Sequence, residues 1–515
     1  MRHTTTNRPA TEQTNSRREG STADVIILGG GGAGLSAAVS AAENGASVIL
    51  LQKAPTVGGT TAMSVGAFTA AGTSLQKKAG VADSVDEFIA DIQTANGPLD
   101  SRENRQLRQL FAEQAAPTME WLIGMGVRFL GPFSVAPNRH PRMHNVLPNS
   151  RSFTAALAVR ARKLGVRIET DRRAEELLTD DNDGVIGVRA GSECYYAAKG
   201  VVIATGDYTA ATDLVSAELG GSAGTATAAN PDNTGDGHLL GRSVGGVTLG
   251  MDSAAESLRY LPRKRRDIIK GMPSFPWFSR LAAPFARHVP RPLFEFMAKG
   301  ALVGWFAPSA AMYEAGAIQI DAATGRRMTD ETKRAELSRS VGKHGDRSYL
   351  VLDAKIAREF SRGGQPVAAF PGIARAYLED VRRRRRDVIT EAATIEELAR
   401  KLGVSNLPET VGRWNFAVTK GSDDEFGREA LGAGIKEGPF AALGPMASVA
   451  MLTNGGLAID VQFRVLDADG KPIGGLYAAG SAGQGGLLLQ LEGLHIAWAH
   501  TSGRLAGRSA ALAKG

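Results

Sequence analysis

The chain has 515 residues, 43% of them hydrophobic and 22% charged, with a formal net charge of +7. That length exceeds what one simple core organises and points to two domains. A single cysteine, Cys194, excludes intrachain disulfides, thiolate zinc sites and cysteine-ligated iron–sulfur clusters, which suits a reducing cytoplasm, and no apolar run reaches the ~18–20 uncharged residues of a membrane span.

Residues 1–22 are polar and carry Arg17 and Arg18. Asp24 precedes the first apolar segment, so this stretch reads as a disordered tail rather than an export signal. A strand is expected at 24–29, a helix of small residues at 33–44 and a second strand at 46–51, in DVIILGGGGAGLSAAVSAAENGASVILLQK. Gly29, Gly31 and Gly34 satisfy G-x-G-x-x-G between strand and helix. The first permits the tight turn, the second lets backbone approach a pyrophosphate, and the third lets the helix close on the strand. The free N–H groups at the helix start then face the phosphates.

Helical periodicity returns at 104–125, followed by a loop rich in Pro, Arg and His at 131–150, a helix at 152–164 and a strand at 166–170. A hairpin is expected around DDNDG (180–184), leading through 185–190 to 194–197, and GVVIATG (200–206) reads as a buried strand entering another glycine turn. Residues 211–237 are small and polar, and 259–312 are rich in Pro, aromatic and basic residues. The basic runs RKRR (263–266) and RRRRR (382–386) come with no aromatic platform or nucleic-acid motif. They read as solvated helix faces or an anionic-surface contact, and nucleic acid is not an expected partner. Strand-and-turn texture resumes near 450, and a helix closes the chain at 494–511. The expected fold is α/β: a doubly wound, Rossmann-like nucleotide-binding domain at 23–260 and 441–515, interrupted by an inserted α+β capping domain at 261–440.

Eight stretches in order resemble the FAD-dependent fumarate reductase and 3-ketosteroid dehydrogenase superfamily. They are GGGGAGLSAA (29–38), GGTTAMSVGAF (58–68), VVIATGDY (201–208), TGDGHLLGRSVGG (234–246), GAIQIDAATGRRMTDE (316–331), TNGGLAID (453–460), GLYAAGSAGQGG (475–486) and GRLAGRSAA (503–511). The resemblance implies FAD, held by Gly29, Gly31, Ala33 and Gly34 at the first turn and by Gln52 and Lys53 after the second strand. It places Gly58, Gly59, Thr60, Thr61 and Gly66 by the flavin. Thr205, Gly206 and Asp207 fall by the adenine half, Ala174 joins the cofactor residues, and Gly480 and Ser481 close over the ribityl and pyrophosphate. Family members usually place Glu where Gln52 stands, and often Glu where Ser481 stands. An amide oxygen still accepts one ribose bond, weaker than a carboxylate's by ~1 kcal/mol. Residues 54–80 contain no histidine for a covalent flavin link, so the FAD is expected to be non-covalent. With one G-x-G-x-x-G unit, no nicotinamide domain is expected, and a quinone, oxygen or a redox protein would take the electrons.

The family makes or removes a C–C double bond beside a carbonyl or carboxylate. Fumarate reductases clamp a dicarboxylate with a His and an Arg; the matching positions here are Leu452 and Gln490, which disfavours that substrate. The position of their Arg proton donor falls on Ala335, one residue from Arg334, and Tyr313 is the other candidate for handling a proton. The glycine with which ketosteroid dehydrogenases bind the substrate ketone through a backbone N–H matches Gly493, and the tyrosine that joins it matches Leu489. Glu492 and His495 flank that turn. The stretch 273–313 concentrates Phe, Trp and Pro, as an apolar pocket, a channel mouth or a membrane-surface contact would. The expected enzyme desaturates the bond α,β to the carbonyl of an apolar cyclic ketone of 3-ketosteroid or cyclohexanone type, without a metal. An ene-reductase and a flavin electron-transfer or redox-sensing protein are the alternatives.

Overall fold

The structure is a computed structural model describing residues 20–220, 226–261, 272–275, 277–278, 280–281, 291–305, 308–370 and 374–514. Most of the tail and the RKRR run lie outside the described residues.

The larger sheet has eight strands, and its central strands are parallel. Ser21–Leu28 pairs with Val48–Leu51 on one side and Glu193–Ile203 on the other. Arg167–Glu169 extends the sheet beyond the former, and Pro472–Ala478 extends it beyond the latter. A hairpin of Glu176–Thr179 and Val185–Ala190 is laid against Glu193–Ile203. Val25, Ile26, Ile27 and Leu28 are all at most 1% exposed, because parallel strands are covered on both faces. One cover is the helix Gly32–Glu43, itself roofed by the C-terminal helix Leu494–Leu512. The two helices touch backbone to backbone: a Cβ on Gly503 would lie 2.1 Å from Ala33 O, and one on Gly507 the same distance from Ala37 O. Small residues at these positions allow that approach.

The Pro/Arg/His stretch at 131–150, expected as a loop, contains strand. Arg128–Phe133 and Met143–Leu147 pair with each other, and Met143–Leu147 also pairs with Ala67–Thr69. Buried ion pairs explain how so polar a segment is ordered: Arg142 is fully buried between Asp83 and Asp91, and Arg139 reaches Asp91.

The second sheet has six strands around Phe440–Thr453, joined by Thr227–Ala228, Ala254–Tyr260, Ser348–Leu352, Ile318–Asp321 and Ile389–Ala392. Three of these strands cross the expected boundaries. Thr227–Ala228, Ala254–Tyr260 and Phe440–Thr453 lie mainly within the segments assigned to the nucleotide-binding domain, yet the first two pair with the third in the sheet of the cap. Leu258, Tyr260, Leu443 and Met446 accordingly pack in the cap core. Ala67 and Met143 of the first domain join the same cluster, so the two domains share a packed junction.

Candidate cofactor and active site

The glycine turns converge at the carboxyl end of the first strand. Gly29 has φ +106°, and a Cβ there would meet Ala204 O at 2.5 Å; a Cβ on Gly34 would meet Gly29 O at 1.8 Å. Gly31 caps the helix with no side chain, and a Cβ added there meets nothing within 4 Å. That open space before the helix N-terminus is what a pyrophosphate requires. The second loop closes over it: Gly58 N donates to Gly30 O at 2.9 Å, Gly32 N donates to Thr61 Oγ1 at 3.2 Å, and a Cβ on Gly59 would lie 3.3 Å from Gly31 Cα. Gly66 O accepts from Val146 N, which ties the end of this loop to the three-stranded sheet.

Gln52, expected to face a ribose, is buried and accepts the Gly30 N–H at 2.7 Å through Oε1. Lys53 turns away to Thr234 and to Asp236, which also takes Arg173. Burial alone would raise the Asp236 carboxyl, but its bonds to Arg173 and Lys53 hold it below the ordinary range. A cavity of about 300 Å³ opens here, lined by Lys53, Arg173, Pro231, Asp232 and Thr234. Thr205 Oγ1 accepts from Gly237 N, and Gly206 lies against Asn233. Asp207 is fully enclosed, and burial pushes its carboxyl up to about 6 despite bonds from Thr209 and Asn233. Gly480 (φ +65°) reaches the first turn, where its Cβ would lie 2.8 Å from Ala33 Cβ, and Ser502 and Trp498 hold its backbone. Ser481 follows it, half-buried, and Ala174 packs at the edge of the main core. The donor set and the open space suit FAD.

Sequence reasoning missed Asn230 and Asn233, which both donate to Thr60 Oγ1 and lock the two loops together. The N-x-x-N spacing was the only available signal. It also missed Arg173, Trp498 and Ser502.

Of the three proposed catalytic residues, Tyr313 and Arg334 lie near enough on the cap for the Arg334 charge to act on the Tyr313 hydroxyl. Tyr313 is 3% exposed, and its hydroxyl donates to Gln319 Oε1 at 2.9 Å inside the cap, where burial pushes its pKa up. Gln319 in turn donates to Ser348. The buried hydroxyl is held within the cap by its bond to Gln319. Arg334 is exposed at the start of the helix Arg334–Lys343. Its charge reaches Arg259 on the cap strand, whose pKa falls to about 10, mainly through burial. Arg259 was not singled out in the sequence.

Gly493 occupies a left-handed turn (φ +82°) ahead of the C-terminal helix, where its N–H is one of the donors that a helix start leaves without an intrahelical acceptor. A Cβ there would meet Thr69 Oγ1 at 2.6 Å and the Ala67 carbonyl carbon at 3.3 Å. Because Ala67 packs into the cap core, this turn stands at the domain junction, a common place for ligand sites. Glu492 is exposed and His495 half-exposed, yet protein surrounds both closely enough to raise the Glu492 carboxyl and to lower His495 to about 4. Leu489 is buried, Leu452 half-buried and Gln490 exposed.

Comparison with known proteins agrees with this geometry. The family model described as FAD binding domain matches residues 24–272 and 300–488. A probable fumarate reductase of Shewanella frigidimarina is 27% identical over 485 residues, covering 92% of this chain and 72% of that protein. A 4-oxocyclohexanecarboxylate 2-dehydrogenase of Sinomonas cyclohexanicum is 27% identical over 591 residues, covering 95% and 93%. The open conformation of a flavocytochrome c3 fumarate reductase superposes with a TM-score of 0.72 at 25% identity, covering 95% of this chain and 78% of that one. Glycine turns that leave room for a pyrophosphate and a match over most of the length lead to one assignment: the chain belongs to the FAD binding domain family and is an FAD-dependent oxidoreductase.

Proposed function

We propose that the protein desaturates the C–C bond α,β to the carbonyl of an apolar cyclic ketone of 3-ketosteroid or cyclohexanone type, and passes the electrons to a quinone, oxygen or a redox protein. The observation that carries this reading is the Gly493 turn. It offers a backbone N–H at the domain junction, beside Leu489 and Gln490 rather than a cationic clamp. An N–H aimed at a carbonyl oxygen stabilises the charge that develops there when the α-carbon loses a proton. When bound, FAD supplies the hydride acceptor. Gly29, Gly31, Gly34, Gly58, Gly59 and Gly480 would hold it. The similarity to a dehydrogenase named for an oxocyclohexane substrate supports the same reading. Exposed Phe275, Trp277 and Leu281 supply apolar surface suited to delivering such a ketone, as a pocket rim or a peripheral membrane contact would. Among the described residues no helix is long and apolar enough to cross a membrane.

A second reading, reduction of an unsaturated carboxylate, is favoured by the neighbouring Arg259 and Arg334 guanidiniums and by relatives named fumarate reductases. Anaerobic mixing with cyclohexanone, 4-oxocyclohexanecarboxylate and 4-androstene-3,17-dione, following flavin bleaching and product mass, tests the first reading. Reoxidation of the dithionite-reduced enzyme by fumarate, acrylate or urocanate tests the second. The first reading requires bleaching by at least one ketone and falls if none reacts.

A further inference from the structure

We propose that Asn230 and Asn233 are positioning residues for the cofactor: together they turn the Thr60 hydroxyl so that its proton is given to a hydrogen-bond acceptor of FAD.

Hydrogen-bond counting carries the first step. A threonine hydroxyl has one proton to give and two lone pairs with which to receive. Asn230 Nδ2 donates to Thr60 Oγ1 at 2.9 Å and Asn233 Nδ2 donates at 3.0 Å, so both lone pairs are taken. Among the described residues the remaining proton meets no acceptor.

The asparagines hold this direction against reversal. Asn230 Nδ2 also donates to Asn233 Oδ1 at 3.0 Å, and Asn230 Oδ1 accepts from Asp232 N at 3.1 Å. The Asn233 amide donates in turn to the Asp207 carboxyl. Turning either amide over by itself would set oxygen against oxygen. Asn230 and Asn233 are 5% and 4% exposed, so water does not replace these partners.

Place supplies the second step. Thr60 follows Gly59, whose Cβ would lie 3.3 Å from Gly31 Cα, at the turn that leaves room for a pyrophosphate. Thr60 itself is half-buried, which leaves one side of it reachable. Pro231, Asp232 and Thr234, neighbours of the two asparagines in sequence, line the cavity of about 300 Å³ that Lys53 and Arg173 complete. The segment 230–234 therefore connects that cavity with the second glycine loop. A donor that the protein does not consume is offered there to the cofactor, whose phosphate oxygens and ring nitrogens both accept.

FAD titration of the deflavo-protein, read by flavin fluorescence, tests this without turnover and independently of the substrate. Thr60→Val removes the proton and keeps the shape, so it should weaken FAD binding by at least ~5-fold, while Thr60→Ser should stay within ~2-fold of wild type. Asn230→Asp puts a carboxylate where Nδ2 stood. It draws the Thr60 proton back into the protein and should cost as much as Thr60→Val. Because both changes act through one proton, the double variant should bind no more weakly than Thr60→Val alone. An equal loss for oxidised and dithionite-reduced FAD assigns the acceptor to the pyrophosphate, and an unequal loss, seen as a shifted midpoint potential, assigns it to the flavin ring. Thr60→Val binding FAD as tightly as the wild type overturns the proposal. Additive losses in the double variant also overturn it, since an asparagine that only supports the fold costs the same with or without the hydroxyl. If melts of the deflavo-protein show that Asn230→Asp does not fold, Asn230→Ala takes its place, and its loss should likewise vanish in the Thr60→Val background.

Discussion

The side-chain oxygen of Gln52 lies 2.7 Å from the backbone nitrogen of Gly30, so the end of the second strand clamps the glycine turn that follows the first. The glutamine is therefore a turn staple, at the position where the family resemblance expects a ribose contact. Gln52→Glu would keep the bond to Gly30 and strengthen any ribose contact, since charged acceptors bond more strongly. FAD titration of the deflavo-protein should show affinity tighter by about fivefold to tenfold, equivalent to ~1 kcal/mol. Gln52→Leu should weaken FAD binding by a similar or larger factor, and equal affinities in all three proteins would refute a role for this position.

A second expectation concerns the helix pair over the sheet. A methyl on Gly503 would press into the Ala33 carbonyl, which is backbone and cannot rotate away. Gly503→Ala should lower stability by about 1–3 kcal/mol, the usual cost of overpacking, and should weaken FAD binding because Ala33 belongs to the first turn. Thermal melts with and without added FAD measure both effects. An unchanged melting temperature would show that the helices can separate at no cost.

The first of these residues could be read from sequence and the second only in part, for a physical reason. A strand–glycine–helix unit is specified locally, by turn sterics and by apolar runs covered on both faces, so the element boundaries at 21–51 fell within three residues of expectation. The cap sheet is different. Ala254–Tyr260 pairs with a strand almost two hundred residues later, and nothing local in ESLRY says which sheet it joins. Tyr313 illustrates the same limit: its residue type suits proton transfer, but packing against Gln319 decides where the hydroxyl points.

Tyr313→Phe should therefore act on stability. It leaves Gln319 Oε1 buried without its donor, a cost of about 1–3 kcal/mol. The rate of flavin reduction by a ketone, per FAD-loaded enzyme, should stay well short of the ~10²-fold loss that removal of a proton-transfer group causes. Stopped-flow reduction alongside a melt separates the two; a loss of that size at unchanged stability would return Tyr313 to the chemistry.

The buried Asp207 predicts a pH dependence whose sign follows from linkage. Its carboxyl titrates at about 6 in the folded protein, against 3.8 for the group unperturbed. Between those values the folded state holds the proton that the unfolded state releases, so this group's stabilising contribution falls as pH rises through the window and is lost above it. Asp207→Asn retains an oxygen for Thr209 but does not titrate. The difference in melting temperature, wild type minus Asp207→Asn, should become more negative from pH 4 to pH 7, by the equivalent of about 2–3 kcal/mol. A constant difference over that range would mean that Asp207 ionises as an exposed carboxyl does.

Charge at the cleft decides the last expectation. Leu452 and Gln490 stand where a dicarboxylate clamp would need a histidine and an arginine, so fumarate and succinate lack two charged contacts, each typically worth about 1.5–3 kcal/mol. Arg259 and Arg334 bring two guanidinium groups near each other on the cap, a setting suited to a single carboxylate. Within a matched set, 4-oxocyclohexanecarboxylate should therefore reduce the flavin at lower concentrations than cyclohexanone, while succinate should leave it oxidised. Arg259→Met should remove the preference for the keto acid, by about tenfold or more in kcat/KM, and leave cyclohexanone nearly unaffected. If the substitution weakens both ketones equally, Arg259 supports the fold of the cap strand rather than the substrate. Succinate oxidation at a rate comparable with the ketones would place a dicarboxylate clamp elsewhere in the cleft and overturn the reading of Leu452 and Gln490.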